Sequence, residues 1–445
     1  MAVTTASGLR SGEAATAGGW TVYHGDVAGS GATAAFRAVN TSRRAWTSPP
    51  LDGQLYGQPL VYGNEILVAT EHDTVYALSS ANGAVRWARH LGAPVPATAL
   101  SCGNISPYVG ITGTPVIDPS RRELFVVADE LVRGRPRHRL VGLNVVTGAV
   151  ELSEGVDPPR SDPAAALQRT GLTLDRGRVV FGLGGNYGDC GSYRGRVVAV
   201  AEGGSRPLYF TVDASSGERG GAVWMGGAAP VIDGQGNILV EAGNGSATSP
   251  SSTYDRSDSV LKLSPTLQLE QFYAPTTWAQ DNASDADMSM APALLADGQV
   301  VASGKGRVAY LLDGTHLGGI GREETSLASV CASDVDGGGA VVGTTVYLPC
   351  GSGPVAIGVS AAPASLTVLW SATVGGGPPI VAAGRVWSLG SDGTLYGLDP
   401  STGAILQQAA VGVAANHFPT PGVGDGLLLA PSTNRVVAFR ATPSG

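Results

Sequence analysis

The chain has 445 residues, room for about three ordinary domains or for one large β-architecture. Hydrophobic residues make up 43% of it, and glycine (65) with proline (28) about a fifth, which excludes a disordered or low-complexity chain. Only 14% of residues are charged and the net charge is −8, so there is no basic field for a nucleic-acid backbone, and no apolar run of 18 residues is present to span a membrane.

In chain order, residues 1–19 are rich in Ala, Gly, Ser and Thr and lack the cationic start and apolar core of a secretory signal. They read as a disordered leader, with the folded domain running over 20–445. Arg44-Ala45-Trp46-Thr47-Ser48 then reads as a lone strand. Residues 57–92 hold four short apolar stretches separated by turn pairs such as Gly63-Asn64 and Asn82-Gly83, the pattern of a four-stranded antiparallel meander. The same four-beat pattern recurs over 114–156, 171–212, 229–273, 291–327, 339–374, 376–412 and 419–441, and the last copy lacks its fourth strand. Trp46 stands in the lone strand where Trp87 and Trp370 stand in the fourth strands of their own copies. Eight units, one completed by a segment from the other end of the chain, define an all-β fold: a single eight-bladed β-propeller closed by N-terminal strand pairing with the last blade.

Connections between the first and second and between the third and fourth strands are short and share one face. The opposite face carries the long connections, 93–113, 129–139, 157–170, 184–196, 243–259, 275–290 and 325–338, and long loops on a rigid scaffold are where binding and catalysis concentrate. All four cysteines fall on that face. Cys102 pairs with Cys190 and Cys331 with Cys350 in this reading, pinning long loops, and two disulfides place the protein in an extracytoplasmic compartment or outside the cell.

The densest polar segment, 278–288, contains Trp278, Asp281, Asn282, Asp285 and Asp287 and leads toward the inner strand of the fifth blade. Its oxygens suit Ca²⁺, with Asp285 and Asp287 as the metal ligands, or an acid–base pair whose pKa values burial would separate. An Asx-rich loop capping its own turns has the same sequence. The hairpin 303–307 brings Lys305 and Arg307 to the same face, where Lys305 meets Asp285 or Asp287. His72 and His417 lie close to inner strands and are the candidate general bases.

The phrase Val75-Tyr76-Ala77-Leu78, then Gly83 and Trp87, echoed by Leu395-Tyr396-Gly397-Leu398-Asp399 and Gly403, resembles the repeat of the pyrroloquinoline-quinone-like propellers. That family includes quinoprotein alcohol dehydrogenases and an outer-membrane assembly lipoprotein. The resemblance implies the propeller fold, and it implies that Asp285, Asp287 and Lys305 correspond to cofactor- and Ca²⁺-contacting positions. The chain departs from those enzymes in having no adjacent Cys-Cys pair and in its shorter length. Three functions follow as expectations. The first is an axial site for a small organic molecule or carbohydrate on a monomeric exported propeller, using carboxylate/His acid–base or metal-assisted chemistry without a bound quinone. The second is a dehydrogenase dependent on pyrroloquinoline quinone (PQQ) and Ca²⁺, and the third a non-catalytic scaffold.

Overall fold

The computed structural model describes residues 19–213 and 219–442; most of the expected leader lies outside them. Eight sheets, each built on a four-stranded antiparallel meander and three of them carrying a fifth strand, form the ring. Blade 1 comprises Leu60–Tyr62, Glu65–Ala69, Thr74–Ser79 and Val85–His90, and blades 2 to 7 occupy 116–155, 173–211, 231–274, 293–327, 340–371 and 380–410. Blade 8 takes three strands from 422–440 and its fourth, Trp46–Thr47, from the N-terminal side, with Trp46 opposite Ala438 and Thr47 opposite Val437.

The burial pattern explains why these residues form blades. Each sheet is covered on both faces by its neighbours, so central strands read as continuous apolar runs rather than alternating ones. Glu65–Ala69 is buried throughout, whereas the outer strand Val85–His90 is almost wholly exposed. In blades 1, 2, 4, 6 and 7 the register slips by a β-bulge between the third and fourth strands, as at Ala77/Leu78 and Gly397/Leu398.

Beside that bulge lies the device that joins blades. The Trp46 ring covers Gly83 of blade 1, Trp87 covers Gly148 of blade 2, and Trp370 covers Gly403 of blade 7; a Cβ on any of these glycines would stand 2.5 or 2.6 Å from the ring. Each indole N–H donates to a carbonyl of the same turn, at 2.8 Å to Ser80, 2.9 Å to Val145 and 2.9 Å to Pro400. The glycines have positive φ, so the repeat's Gly both permits the turn and vacates the space that the Trp fills.

The segment after Gly19 crosses the axis. Trp20 exchanges backbone hydrogen bonds with Val61 of blade 1, and Thr21, Val27, Ser30 and Gly31 accept from Ile117, Ile232, Val341 and Val381, in blades 2, 4, 6 and 7. Ala32–Thr33 then lies parallel to the inner strand of blade 7. Trp20, Val22, Tyr23 and His24 are buried, and burial pushes the His24 imidazole down to about 3, so it is neutral there. Tyr23 and His24 also meet Gln58, Gly338 and Gly339, which lie just before the inner strands of blades 1 and 6.

Both disulfides form as expected, Cys102–Cys190 and Cys331–Cys350, in connections of the long-loop face. The segment expected as an Asx-rich loop is instead an α-helix over Trp278–Ser284. Thr277 Oγ1 donates to Asp281 Oδ2 across its first turn, and Asp285, at φ 58°, ends it in the left-handed conformation that Asp tolerates.

Candidate functional site

Residues just before each inner strand converge on the axis, because every inner strand starts at the long-loop face. Arg169, before the third inner strand, is buried, and its guanidinium lies 5.6 Å from the Tyr56 ring of blade 1 and 5.5 Å from the Phe418 ring of blade 8. Nη2 has no hydrogen-bond partner, and among the described residues Arg169 makes no ion pair. Burial lowers its pKa, opposed by the nearby Tyr56, Glu71 and Tyr23. Glu71 is buried too; its Oε2 accepts from the Gly110 N–H at 2.7 Å and from Thr112 Oγ1 at 3.0 Å, while Oε1 has no partner. Desolvation pushes the Glu71 carboxyl up to about 7.

Trp224, before the fourth inner strand, faces Phe418 across the mouth at 5.8 Å. Beyond it Met225–Gly227 makes a 3-10 turn, and Gly226 approaches the Gly337 backbone so closely that a Cβ would stand 2.4 Å from its nitrogen. Lys305, in the hairpin of blade 5, places Nζ 5.6 Å from the Trp224 ring, 2.5 Å from Asp287 Oδ2 and 3.1 Å from Asp285 Oδ1. Asp287 Oδ1 accepts from the Asn244 N–H at 2.5 Å, and Asn244 Nδ2 donates to Asp285 Oδ1 at 2.7 Å. Burial drives the Lys305 pKa down, but Asp287 and Asp285 outweigh it and hold the ammonium above its ordinary value. Burial pushes the Asp287 carboxyl up, and Lys305 pulls it back.

Adjoining this group, a cavity of about 620 Å³ is lined by Asp334, Asp336, Pro349, Asn416, His417 and Phe418, among others. Burial pushes the Asp336 carboxyl up to about 6, and its Oδ1 is unpartnered. His417 stands on this wall, its ring 6.2 Å from Phe418.

Of the residues expected at a site, Asp285, Asp287 and Lys305 are thus brought together, with His417 on the adjoining cavity. Trp278, Asp281 and Asn282 serve the helix and its docking: Trp278 packs edge-on to Tyr254 at 5.0 Å, and Asn282 accepts from the Gly245 N–H and donates to Ala247 O and Ser257 Oγ. Arg307 is exposed in the hairpin. His72 sits with Asp52, His90 and Tyr108 on blade 1 and makes no contact with the Asp285–Asp287–Lys305 group. The residues that sequence reasoning missed are Arg169, Trp224, Phe418, Tyr56 and Glu71. Their signal was positional, since all but Glu71 lie a few residues before an inner strand.

The donor set does not match a Ca²⁺ ion, which takes six to eight oxygens. Both Asp287 oxygens are already engaged, by Asn244 and Lys305, and the second oxygen that Asp285 offers is on an exposed residue.

An eight-bladed ring with these repeats defines a PQQ-like propeller. The family described as outer membrane protein assembly factor BamB matches residues 3–248, and the chain belongs to it. No curated protein sequence matches. Among solved structures, the quinohemoprotein alcohol dehydrogenase from Comamonas testosteroni is 16% identical, with a TM-score of 0.70 over 98% of this chain and 82% of its own. A europium-containing methanol dehydrogenase is 14% identical (TM-score 0.68, 95% and 98% covered), and BamB from Moraxella catarrhalis 13% identical (TM-score 0.58, 89% and 99% covered). At these identities the likeness is one of fold.

Proposed function

We propose that the axial mouth of the long-loop face binds a small, planar organic anion. One observation carries this reading: the buried Arg169 guanidinium lies between two aromatic rings with no carboxylate paired to it. A buried charge left uncompensated is expensive, and a guanidinium fork matches a carboxylate in a bidentate manner. Tyr56, Phe418 and Trp224 supply flat apolar faces for a ring. Asp287 and Lys305 neutralise one another and position polar groups at the edge. Asp336, titrating near 6, and His417 stand where a proton could be taken from or returned to the bound molecule, which is the basis for acid–base chemistry at this site. The two disulfides support placement in an oxidising, extracytoplasmic compartment.

Quenching of Trp224 fluorescence by a panel of aromatic carboxylates, with neutral amide analogues as controls, tests the reading. PQQ belongs in the panel as a planar polycarboxylate, with and without Ca²⁺. Binding of acids over amides, lost about 10- to 100-fold in Arg169→Gln, is expected for a charged hydrogen-bond pair worth about 1.5–3 kcal/mol. Equal binding by a folded Arg169→Gln protein, or no preference for acids over amides, rejects it. Tightening by Ca²⁺ would restore the quinone-dependent reading.

A further inference from the structure

We propose that Asp52, His72 and His90 form a transition-metal site of the Zn²⁺ type on the long-loop side of blade 1, separate from the axial mouth. Asp52 comes from the segment linking the ring-closing strand Trp46–Thr47 to blade 1, His72 from the loop between the second and third strands, and His90 from the end of the fourth. One ligand atom from each lies within 4.8 Å of the others. His72 Nδ1 is buried, has no hydrogen-bond partner, and lies 3.4 Å from Asp52 Oδ2. Two ligands of one tetrahedral ion at about 2.0–2.1 Å stand roughly 3.4 Å apart, so this pair already has the required separation and His90 has only to swing inward.

The surroundings orient the ligands. Thr70 Oγ1 donates to Asp52 Oδ1 at 2.9 Å and Thr74 Oγ1 to Asp52 Oδ2 at 2.5 Å, while Thr74 Oγ1 also contacts His90 Nδ1 at 3.1 Å. Hydrogen bonds of this kind fix carboxylate and imidazole orientation around protein-bound metals. Tyr108 stands edge-on to the His72 ring at 5.3 Å. Gly53 allows the linker to lie directly on His72, since a Cβ there would be 2.7 Å from the His72 backbone nitrogen. Two imidazoles and one carboxylate suit Zn²⁺, with Cu²⁺ and Ni²⁺ as competitors, and three protein ligands leave the fourth position to water or an exogenous ligand. Because Asp52 lies in the segment that follows the ring-closing strand, the bound ion would clip that segment to blade 1.

Calorimetric titration of the untagged protein with ZnCl₂ tests the site. One equivalent bound at micromolar concentration or tighter is expected, with a rise in thermal midpoint. His72→Ala, His90→Ala and Asp52→Asn should each weaken binding at least tenfold, and Co²⁺ should give a visible band of four-coordinate type. His316→Ala, altering an exposed histidine elsewhere, should change nothing. Absence of stoichiometric binding overturns the proposal, as does undiminished binding in His90→Ala, an exposed position whose replacement leaves the core intact. That second variant decides the matter even if His72→Ala proves unstable.

Discussion

Gly83→Ala isolates the physical basis of blade docking. The substitution imposes two costs. At φ +73° a non-glycine residue pays about 1–2 kcal/mol for left-handed backbone, partly offset by about 0.4–1 kcal/mol from a less flexible unfolded chain. The new Cβ would also stand 2.5 Å from the Trp46 ring, which cannot recede because its N–H is bonded to Ser80 O in the same turn. Forced overpacking of this kind costs about 1–3 kcal/mol. Gly63→Ala supplies the control: its φ is +57°, and nothing lies within 4 Å of the added methyl. Gly63→Ala should therefore cost about 1 kcal/mol and Gly83→Ala about 2–4 kcal/mol, read as midpoint shifts in urea unfolding followed by far-UV circular dichroism. Trp46→Ala alone should cost about 3–5 kcal/mol, and adding Gly83→Ala to it only about 1 kcal/mol more, because the clash has gone. Equal costs for the two glycines within about 0.5 kcal/mol, or an additive cycle, would refute the docking argument.

Three further outcomes are expected. Glu71 has a folded pKa of about 7 against an ordinary 4.5, so the fold prefers its protonated form; stability attributable to it is complete below 4.5 and falls as pH rises toward 7. Glu71→Gln should remove that slope and be more stable than the parent by about 3 kcal/mol above pH 7, and an unchanged pH profile would count against it. Lys305→Met strips the counter-charge from buried Asp287 and should cost about 3–5 kcal/mol, most of it recovered in the double variant with Asp287→Asn; failure of the second change to rescue the first would show the pair is not coupled. The disulfides close loops of 88 and 19 residues, so Cys102→Ser/Cys190→Ser should destabilise more than Cys331→Ser/Cys350→Ser, by about 4.5 against 3 kcal/mol on the loop-entropy account, with the reverse order in denaturant midpoints refuting it.

The ring was legible because it rests on local, repeated chemistry. The Gly of the turn and the Trp of the fourth strand carry the docking contact in their own identities, and Trp46 betrayed its role by having the partner residues of a fourth strand without the other three. The sulfur pairing followed from the same frame. Asp285, Asp287 and Lys305 could be placed together because each lies within a few residues of an inner strand or its hairpin in blade 5. Arg169 could not be singled out: nothing in Gln168-Arg169-Thr170 distinguishes a buried guanidinium from a solvated one until blades 1 and 8 bring Tyr56 and Phe418 over it. The helix over Trp278–Ser284 was missed because Asn and Asp favour turns locally, and its stability comes instead from contacts outside itself, Trp278 on Tyr254 and Asn282 on the 243–258 loop.

The axial segment was illegible for a related reason, since residues 20–33 carry no strand pattern and gain their order from five different blades. Their placement nevertheless determines the character of the mouth. Gly338 has no side chain because both the Tyr23 and His24 rings come within 2.7 Å of where its Cβ would be. The Gly338 N–H donates to the Tyr23 hydroxyl at 3.2 Å, and Tyr23 in turn is among the groups that act on Arg169. The axial segment and the Arg169 side chain are therefore linked through Tyr23. Arg169 is buried, and the low dielectric that makes its unpaired charge costly would also make the carboxylate proposed above worth more there than on an open surface.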